Sequence, residues 1–170
     1  MDPFSFLPFA AYTSGMNKLI HAALLVAVSS SAFAGATVTF VDIGKMTDVP
    51  RDYQKRDDMQ FLLREHLSLL SEKLPAGQAL KVEFLDIDLA GDEFPRVALR
   101  DIRVLRGQAD WPRIHLRYLI EQDGKVISSG DSKLSDPGYM MGVNRYDRDL
   151  YGHEKQMLDD WFRKDVLHQH

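Results

Sequence analysis

An alternation of apolar and polar residues in the second half of the chain predicts a β-hairpin. Within the stretch Arg113–Gln122, every second position from 114 to 120 is apolar, which predicts a half-buried strand. Its apolar positions are Ile114, Leu116, Tyr118 and Ile120. Asp123-Gly124 follows, a dipeptide typical of two-residue hairpin turns. Lys125–Leu134 is therefore predicted to return as the antiparallel partner, and its small polar residues favour a position at the edge of the sheet.

The same alternation runs through the stretch Leu80–Asp92, but there it changes face. The apolar residues are Leu80, Val82 and Phe84 before the change and Leu85, Ile87 and Leu89 after it. Successive side chains of a strand point to opposite faces, so the change requires an extra residue or burial of both faces. We predict a β-bulge near Phe84-Leu85, or else a strand that is covered on both sides.

Apolar residues that recur every three or four positions predict two helices, over Lys55–Leu74 and Leu150–Val166. Pro75 and Gly77 end the first helix. Its apolar stripe consists of Met59, Leu63, Leu67, Leu70 and Leu74. The stripe of the second helix consists of Leu150, Met157, Leu158, Trp161 and Phe162.

The remaining segments complete a prediction of the fold. Thr37–Asp42 and, more weakly, Leu99–Leu105 are typical of strands, whereas Ala90–Pro95 and Ser135–Arg148 are rich in turn-forming residues. The order is β-α-β-β-β-β-α. It predicts the α+β class, with a single, mainly antiparallel sheet of about five strands and two helices packed on one face. Residues 35–170 are predicted to form one such domain.

The first 34 residues are typical of a secretory signal peptide. Read from Met16, the chain has a basic residue at Lys18, an apolar run over Leu19–Val28 and the small-x-small sequence Ala32-Phe33-Ala34. We predict cleavage after Ala34; the alternatives are an uncleaved anchor or a buried helix. Residues 1–15 contain no basic residue, which predicts that they lie upstream of the true start.

Composition narrows the classes of function. The net charge is −4 and there is no long run of lysine or arginine, which argues against binding to nucleic acid. Removal of residues 1–34 takes away Asp2 and Lys18, so the net charge is unchanged. The absence of cysteine excludes disulfides, thiolate metal sites and a cysteine nucleophile. No cofactor is predicted.

Asp86 and Asp88 are the first candidates for a binding site, because they lie two residues apart on one face of a predicted core strand. The favoured interpretation is structural, namely ion pairs with Arg103, Arg113 or Arg117 on neighbouring strands. One alternative is a divalent-cation site, since such cations prefer clustered carboxylates. The other alternative is acid–base catalysis, with His115 as a further member.

Two further segments contain candidate binding residues. Asp110-Trp111-Pro112-Arg113 is typical of a structural corner, and the alternative is a ligand platform with a stacking Trp111 and an anion-binding Arg113. Tyr139 begins an apolar and aromatic stretch with Met140 and Met141. If this stretch is exposed, it is a candidate contact surface; the alternative is that its side chains fold back on the core.

Four segments of the mature chain together carry a resemblance to a known family. They are VTFVD at Val38–Asp42, LDIDLAG at Leu85–Gly91, ADWPRIHLRY at Ala109–Tyr118 and EKQMLDDWF at Glu154–Phe162. The combination resembles the small exported bacterial proteins of the domain of unknown function 3016 family, over essentially the whole mature chain. The resemblance implies an envelope location, chiefly in Gram-negative bacteria, and it implies no activity and no site residue.

We therefore expect a periplasmic binding or assembly module that is not an enzyme. Its partner is expected to be an envelope protein or another envelope component, with no role for nucleic acid and no stable membrane span after cleavage. The alternatives are a periplasmic hydrolase and a protein that binds a divalent metal, both of which would use Asp86 and Asp88.

Overall fold

The structure is a computed structural model that describes residues 35–94, 102–107 and 109–168. The predicted signal peptide and its cleavage site after Ala34 lie outside the described residues. The elements are the strands β1 (Ala36–Phe40), β2 (Gln78–Asp88), β3 (Asp92–Phe94), β4 (Ile102–Val104), β5 (Arg113–Gln122) and β6 (Lys125–Ser135), and the helices α1 (Tyr53–Ser71) and α2 (Gly152–Trp161). A 3-10 turn follows β1 at Ile43–Lys45, and a π-helical turn at Phe162–Val166 continues α2.

The main sheet has four strands in the order β1-β2-β5-β6. Strand β1 pairs parallel to β2, whereas β2 with β5 and β5 with β6 pair antiparallel. The parallel pair is possible because α1 provides the crossover between β1 and β2. The predicted α+β class, with a mainly antiparallel sheet and two helices, is therefore confirmed.

The number of strands in the main sheet differs from the prediction of about five. The strand predicted over Leu99–Leu105 is only Ile102–Val104, and it pairs with β3 in a separate two-stranded sheet. Strand β3 lies where the sequence predicted a turn over Ala90–Pro95. Strands of three residues are too short to show an alternation, so their pairing depends on contacts with the rest of the fold.

The predicted bulge in β2 is confirmed. Phe84 lies opposite Leu116, but the next pair is Asp86 with His115, so Leu85 has no partner of its own on β5. The extra residue lets Ile87 point to the same side as Phe84, and both are fully buried. It leaves Asp86 on the opposite side of the sheet.

The predicted hairpin and edge strand are also confirmed. Strand β5 has the predicted bounds, and β6 returns beside it as the last strand of the sheet. Asp123 and Gly124 have φ angles of 52° and 73°, as the tight turn between β5 and β6 requires.

Both helices pack on one side of the main sheet, which we call the helix side. The stripe predicted for α1 is buried, as are the apolar residues at the end of α2 and in the turn that follows. Burial of each large apolar side chain stabilises the fold by about 1.5–3 kcal/mol. Asp52 caps α1 by accepting a hydrogen bond from the Lys55 N–H at 3.0 Å. We call the opposite side of the main sheet the open side.

Candidate functional site

Asp86 holds the loop after β1 against the open side of β2. Its carboxylate accepts hydrogen bonds from the backbone N–H and the hydroxyl of Thr47, each at 2.7 Å. His115 lies opposite on β5, but its Nε2 lies 2.7 Å from a carboxylate oxygen of Asp131 instead. Asp86 and His115 are therefore not joined as the acid–base pair that a hydrolase would need.

Asp88, Arg113 and Trp111 form one cluster at the end of β2 and β5. The Arg113 Nε donates to Asp88 at 2.9 Å, and the guanidinium lies 4.8 Å from the centre of the Trp111 ring. The indole N–H of Trp111 donates to the Ser135 hydroxyl at 2.9 Å. Burial raises the pKa of Asp88 and outweighs the opposing effect of Arg113. The cluster joins the end of β2, the start of β5 and the end of β6.

Asp110 and Tyr139 form a second, separate pair. The Tyr139 hydroxyl donates to Asp110 at 2.9 Å, and the same carboxylate accepts from the Arg106 N–H. Burial, together with the hydrogen bond and charge of Asp110, raises the pKa of Tyr139 to about 12. Tyr139 is only 5% exposed. It serves as an anchor and has little surface to offer a partner.

The six predicted site residues thus lie in three separate sets: Asp86 alone, the cluster of Asp88, Trp111 and Arg113, and the pair of Asp110 and Tyr139. Among the described residues, no hydrogen bond, ion pair or ring contact joins one set to another. Nor does this part of the chain contain a group of three or more His, Asp or Glu side chains that could hold a metal ion. The hydrogen bonds and ion pairs of Asp86, Asp88 and Asp110 stabilise local structure.

The residues just after Tyr139 expose apolar side chains. Met141 is 89% exposed and Val143 is 93% exposed, and Met140 is more than half exposed. We call these three residues the apolar tip. Large apolar side chains are seldom so fully exposed together unless they contact something.

The loop that carries the apolar tip is held on both sides. Before the tip, the Tyr139 ring packs edge-on against His153 of α2, with 4.7 Å between ring centres. After the tip, the Asn144 amide lies 3.2 Å from Nδ1 of the same histidine. Burial lowers the pKa of His153. The Tyr146 hydroxyl donates to Asp159 of α2 at 2.9 Å.

Asp159 is the centre of the contacts that fix this loop. Nε2 of His66 on α1 lies 3.0 Å from its carboxylate, and Arg145 lies 3.1 Å from it. Burial tends to raise the pKa of Asp159, but the close contact with His66, the hydrogen bond from Tyr146 and the charge of Arg145 outweigh burial and lower it. The loop is therefore connected to both helices through one buried carboxylate.

A cleft of about 370 Å³ lies between this loop, β4 and the start of α2. Glu154 is 2% exposed there and accepts a hydrogen bond from the Ala90 N–H at 2.7 Å. Burial raises the pKa of Glu154. Arg103 donates to Asp48 and to the carbonyls of Leu89, Ala90 and Gly91, so its charge is used within the fold.

Sequence reasoning missed the role of two of these residues. Arg103 was one of three arginines predicted as possible partners of Asp86 or Asp88; Arg113 forms such a pair with Asp88, whereas Arg103 pairs with Asp48. Glu154 precedes the buried Met157 and Leu158 by three and four positions, so helical spacing did contain a signal that it lies on the buried stripe. Nothing in the sequence indicated the hydrogen bond from Ala90.

Comparison with known proteins places the chain in one family. The model of a family described as a protein of unknown function, DUF3016, matches residues 34–164. No match was found among the curated proteins or among the solved structures. Among the described residues, no helix is long and apolar enough to cross a membrane.

Proposed function

We propose that this chain, which belongs to the DUF3016 family of proteins of unknown function, is an exported binding module of the bacterial envelope. It binds a protein partner through the apolar tip and does so without catalysis. The proposal rests on the exposed side chains of Met141 and Val143, which lie on a loop that is anchored on both sides.

Anchoring favours binding because the loop has little conformational freedom left to lose in a complex. The buried Tyr139 and the bonded Tyr146 hold the two ends of the loop. The side chains of Met140, Met141 and Val143 point away from that support and are available to a partner. Methionine adapts its shape to an irregular apolar surface, so the expected partner presents an apolar pocket or groove.

Export is supported by the pattern at Met16–Ala34, with its basic residue, apolar run and small-x-small sequence. The full chain, expressed in a Gram-negative host, is expected in the periplasmic fraction with Gly35 as its first residue. Ala32→Asp removes a small residue from the predicted cleavage site and is expected to give a longer, uncleaved form. A cytoplasmic product, or one that retains residues 16–34 in the wild type, would contradict this part of the proposal.

Cross-linking tests the contact surface directly. The chain has no cysteine, so Met141→Cys and Val143→Cys each provide a unique site for a photo-cross-linker. Both labelled proteins are expected to capture the same envelope protein. Unlabelled wild type is expected to compete for that capture, whereas the double variant Met141→Ser/Val143→Ser is expected to compete at least about tenfold less well.

The matched control is the double variant Val126→Ser/Ile127→Ser. These residues are also exposed and apolar, at 55% and 52%, but they lie at the distant end of the β5–β6 hairpin. This control is expected to compete like the wild type, and all variants are expected to unfold at the same temperature. Equal competition by both double variants would overturn the proposal. Binding of the purified protein to protein-free lipid vesicles, lost in Met141→Ser/Val143→Ser, would assign the tip to the membrane instead of a protein.

A further inference from the structure

The outer edge of β6 offers a backbone for pairing. The strand is 11 residues long, and β5 occupies one side of it. No other strand of the described part of the chain pairs with its opposite side. In such an edge strand, every second residue directs its N–H and C=O away from the sheet, where another strand can bind them.

Two charged residues lie near the middle of this edge. Asp131 and Lys133 are both exposed and both point to the open side of the sheet, two positions apart. Asp131 contacts His115 and, at 3.7 Å, Arg117. Lys133 forms no ion pair with any residue that the structure describes. Its charge is therefore available to an acidic group beyond the edge.

If β6 pairs with β6 of a second copy in one continuous sheet, the open sides of the two sheets must face the same way. Residues that lie opposite each other across the pair must therefore point to the same side, which limits the possible registers. A twofold axis at Asp131 would place two aspartates opposite each other, and one at Lys133 would place two lysines opposite each other. A twofold axis at Gly130 would leave both charges without an opposite charge. An axis at Ser132 places Asp131 of each strand opposite Lys133 of the other. Opposite charges in this position stabilise a strand pair, and like charges destabilise it.

We propose that the chain forms a homodimer by antiparallel pairing of β6 with β6 of a second copy, with the twofold axis at Ser132. The two main sheets then form one continuous sheet. On the helix side, Gly130 of one copy faces Leu134 of the other. Leu134 is half-buried in the single chain and lines a groove of about 330 Å³ between β6 and α2, so the backbone of the second copy lies against one apolar side chain there.

The proposed occupant of this edge is a second copy because the charge pattern is complementary to itself. One twofold axis creates two Asp131–Lys133 ion pairs, and each strand contributes one charge to each pair. The sequence of an unrelated peptide need not place opposite charges at these positions. The inference is independent of the apolar tip, which lies on a different segment of the chain.

Charge variants test the dimer in solution. The full chain is expressed, and the purified product is measured by sedimentation over a range of concentrations; the wild type is expected to dimerise. Lys133→Glu and Asp131→Lys each place like charges opposite each other, and each is expected to weaken dimerisation by at least about tenfold. An equimolar mixture of the two variants is expected to recover the dimer, because every charge then meets its opposite.

Cysteine cross-linking tests the register. In the proposed pairing, Ser129 of one copy lies opposite Ser135 of the other, within the separation that a disulfide can bridge. A mixture of Ser129→Cys and Ser135→Cys proteins is expected to form a disulfide-linked dimer, whereas each protein alone is not. Lys125→Glu, which changes a charge outside the paired segment, is expected to dimerise like the wild type.

Some outcomes would overturn the proposal. They are a wild type that remains monomeric at every concentration, a Lys133→Glu variant that dimerises like the wild type, and a cysteine mixture that links no better than its separate components. Each variant is first shown to keep the unfolding temperature of the wild type. Lys133 is exposed and unpaired among the described residues, so its substitution leaves the fold intact.

Discussion

Gly130 shows how a single residue position determines packing in β6. It lies opposite Tyr118, and the tyrosine ring covers the space where a side chain would begin. A Cβ atom at this position would lie 2.5 Å from the ring. The ring has little room to move, because its hydroxyl donates to the Asp165 carbonyl at 3.2 Å and the ring forms a T-shaped contact with Trp161, with 5.4 Å between ring centres.

Gly130→Ala is therefore expected to lower the free energy of unfolding by about 1–3 kcal/mol, as overpacking of a core does. This loss is expected even though alanine reduces the freedom of the unfolded chain. Urea denaturation measures the difference. Gly142→Ala is the control, because a Cβ atom there meets nothing within 4 Å. Equal stability of the two variants would show that the Tyr118 ring moves freely.

Glu154 is a second residue whose environment has a measurable effect. Burial raises its pKa in the folded chain above the ordinary value of 4.5. The folded chain therefore keeps the proton at pH values where the unfolded chain has lost it. Stability that depends on this group is greatest below the unfolded pKa and falls as pH rises towards the folded pKa.

Glu154→Gln removes the ionisation and keeps an oxygen that can accept the Ala90 N–H. Its stability relative to the wild type is expected to increase as pH rises from the ordinary pKa of a glutamate towards the raised pKa of Glu154. Chemical denaturation at several pH values measures this difference. Glu65→Gln, an exposed glutamate on α1, is the matched control. If the difference in stability between Glu154→Gln and the wild type does not change with pH, the raised pKa of Glu154 is contradicted.

At the scale of elements, the long periodic segments were predictable from the sequence and the short ones were not. The alternation of apolar and polar residues predicted the bounds of β5, and the change of face of the apolar residues in β2 predicted the bulge at Leu85. The two-stranded sheet of β3 and β4 was not predicted, because strands of three residues leave no periodic pattern. Its position depends on Arg103, which bonds to carbonyls far from it along the chain.

Arg103→Met is expected to lower the free energy of unfolding by about 2–4 kcal/mol, because it leaves several carbonyl groups without donors. Equilibrium denaturation measures the loss. Arg106→Met is the matched control on the segment just after β4. Its ion pair with Asp92 joins two side chains that are each more than half exposed, so a loss below about 1 kcal/mol is expected. Equal losses would mean that Arg103 contributes no more than a surface arginine.

At the scale of the whole molecule, the candidate site depends on contacts between distant segments. The sequence drew attention to the stretch at Tyr139 and to Asp110 as separate candidates, and the structure joins these two residues. It did not indicate that Asp159 would connect the loop to α1 through His66. These residues are far apart along the chain, and no periodic pattern relates one to the other.

Asp159→Asn is expected to loosen residues 142–151 and to increase their amide hydrogen exchange. Because the folded pKa of Asp159 is lowered, its contribution to stability is present above the unfolded pKa and is lost as pH falls through the folded pKa. The variant is therefore expected to be less stable than the wild type near neutral pH and to approach it in acid. Asp160→Asn, whose partner Arg163 is exposed, is the control. Unchanged exchange in Asp159→Asn would contradict the role of this carboxylate.

The bulge at Leu85 has a consequence for how sequences of this family change length in evolution. Loss of Leu85 would restore a regular strand in which Ile87 still points to the helix side and Asp86 and Asp88 still point to the open side. Loss of a residue elsewhere in β2, where there is no extra residue to remove, would turn the residues beyond it to the opposite side. An alignment of DUF3016 sequences is therefore expected to show single-residue gaps at Leu85 and at the surface turn Asp123-Gly124, and none at the regular positions of β2.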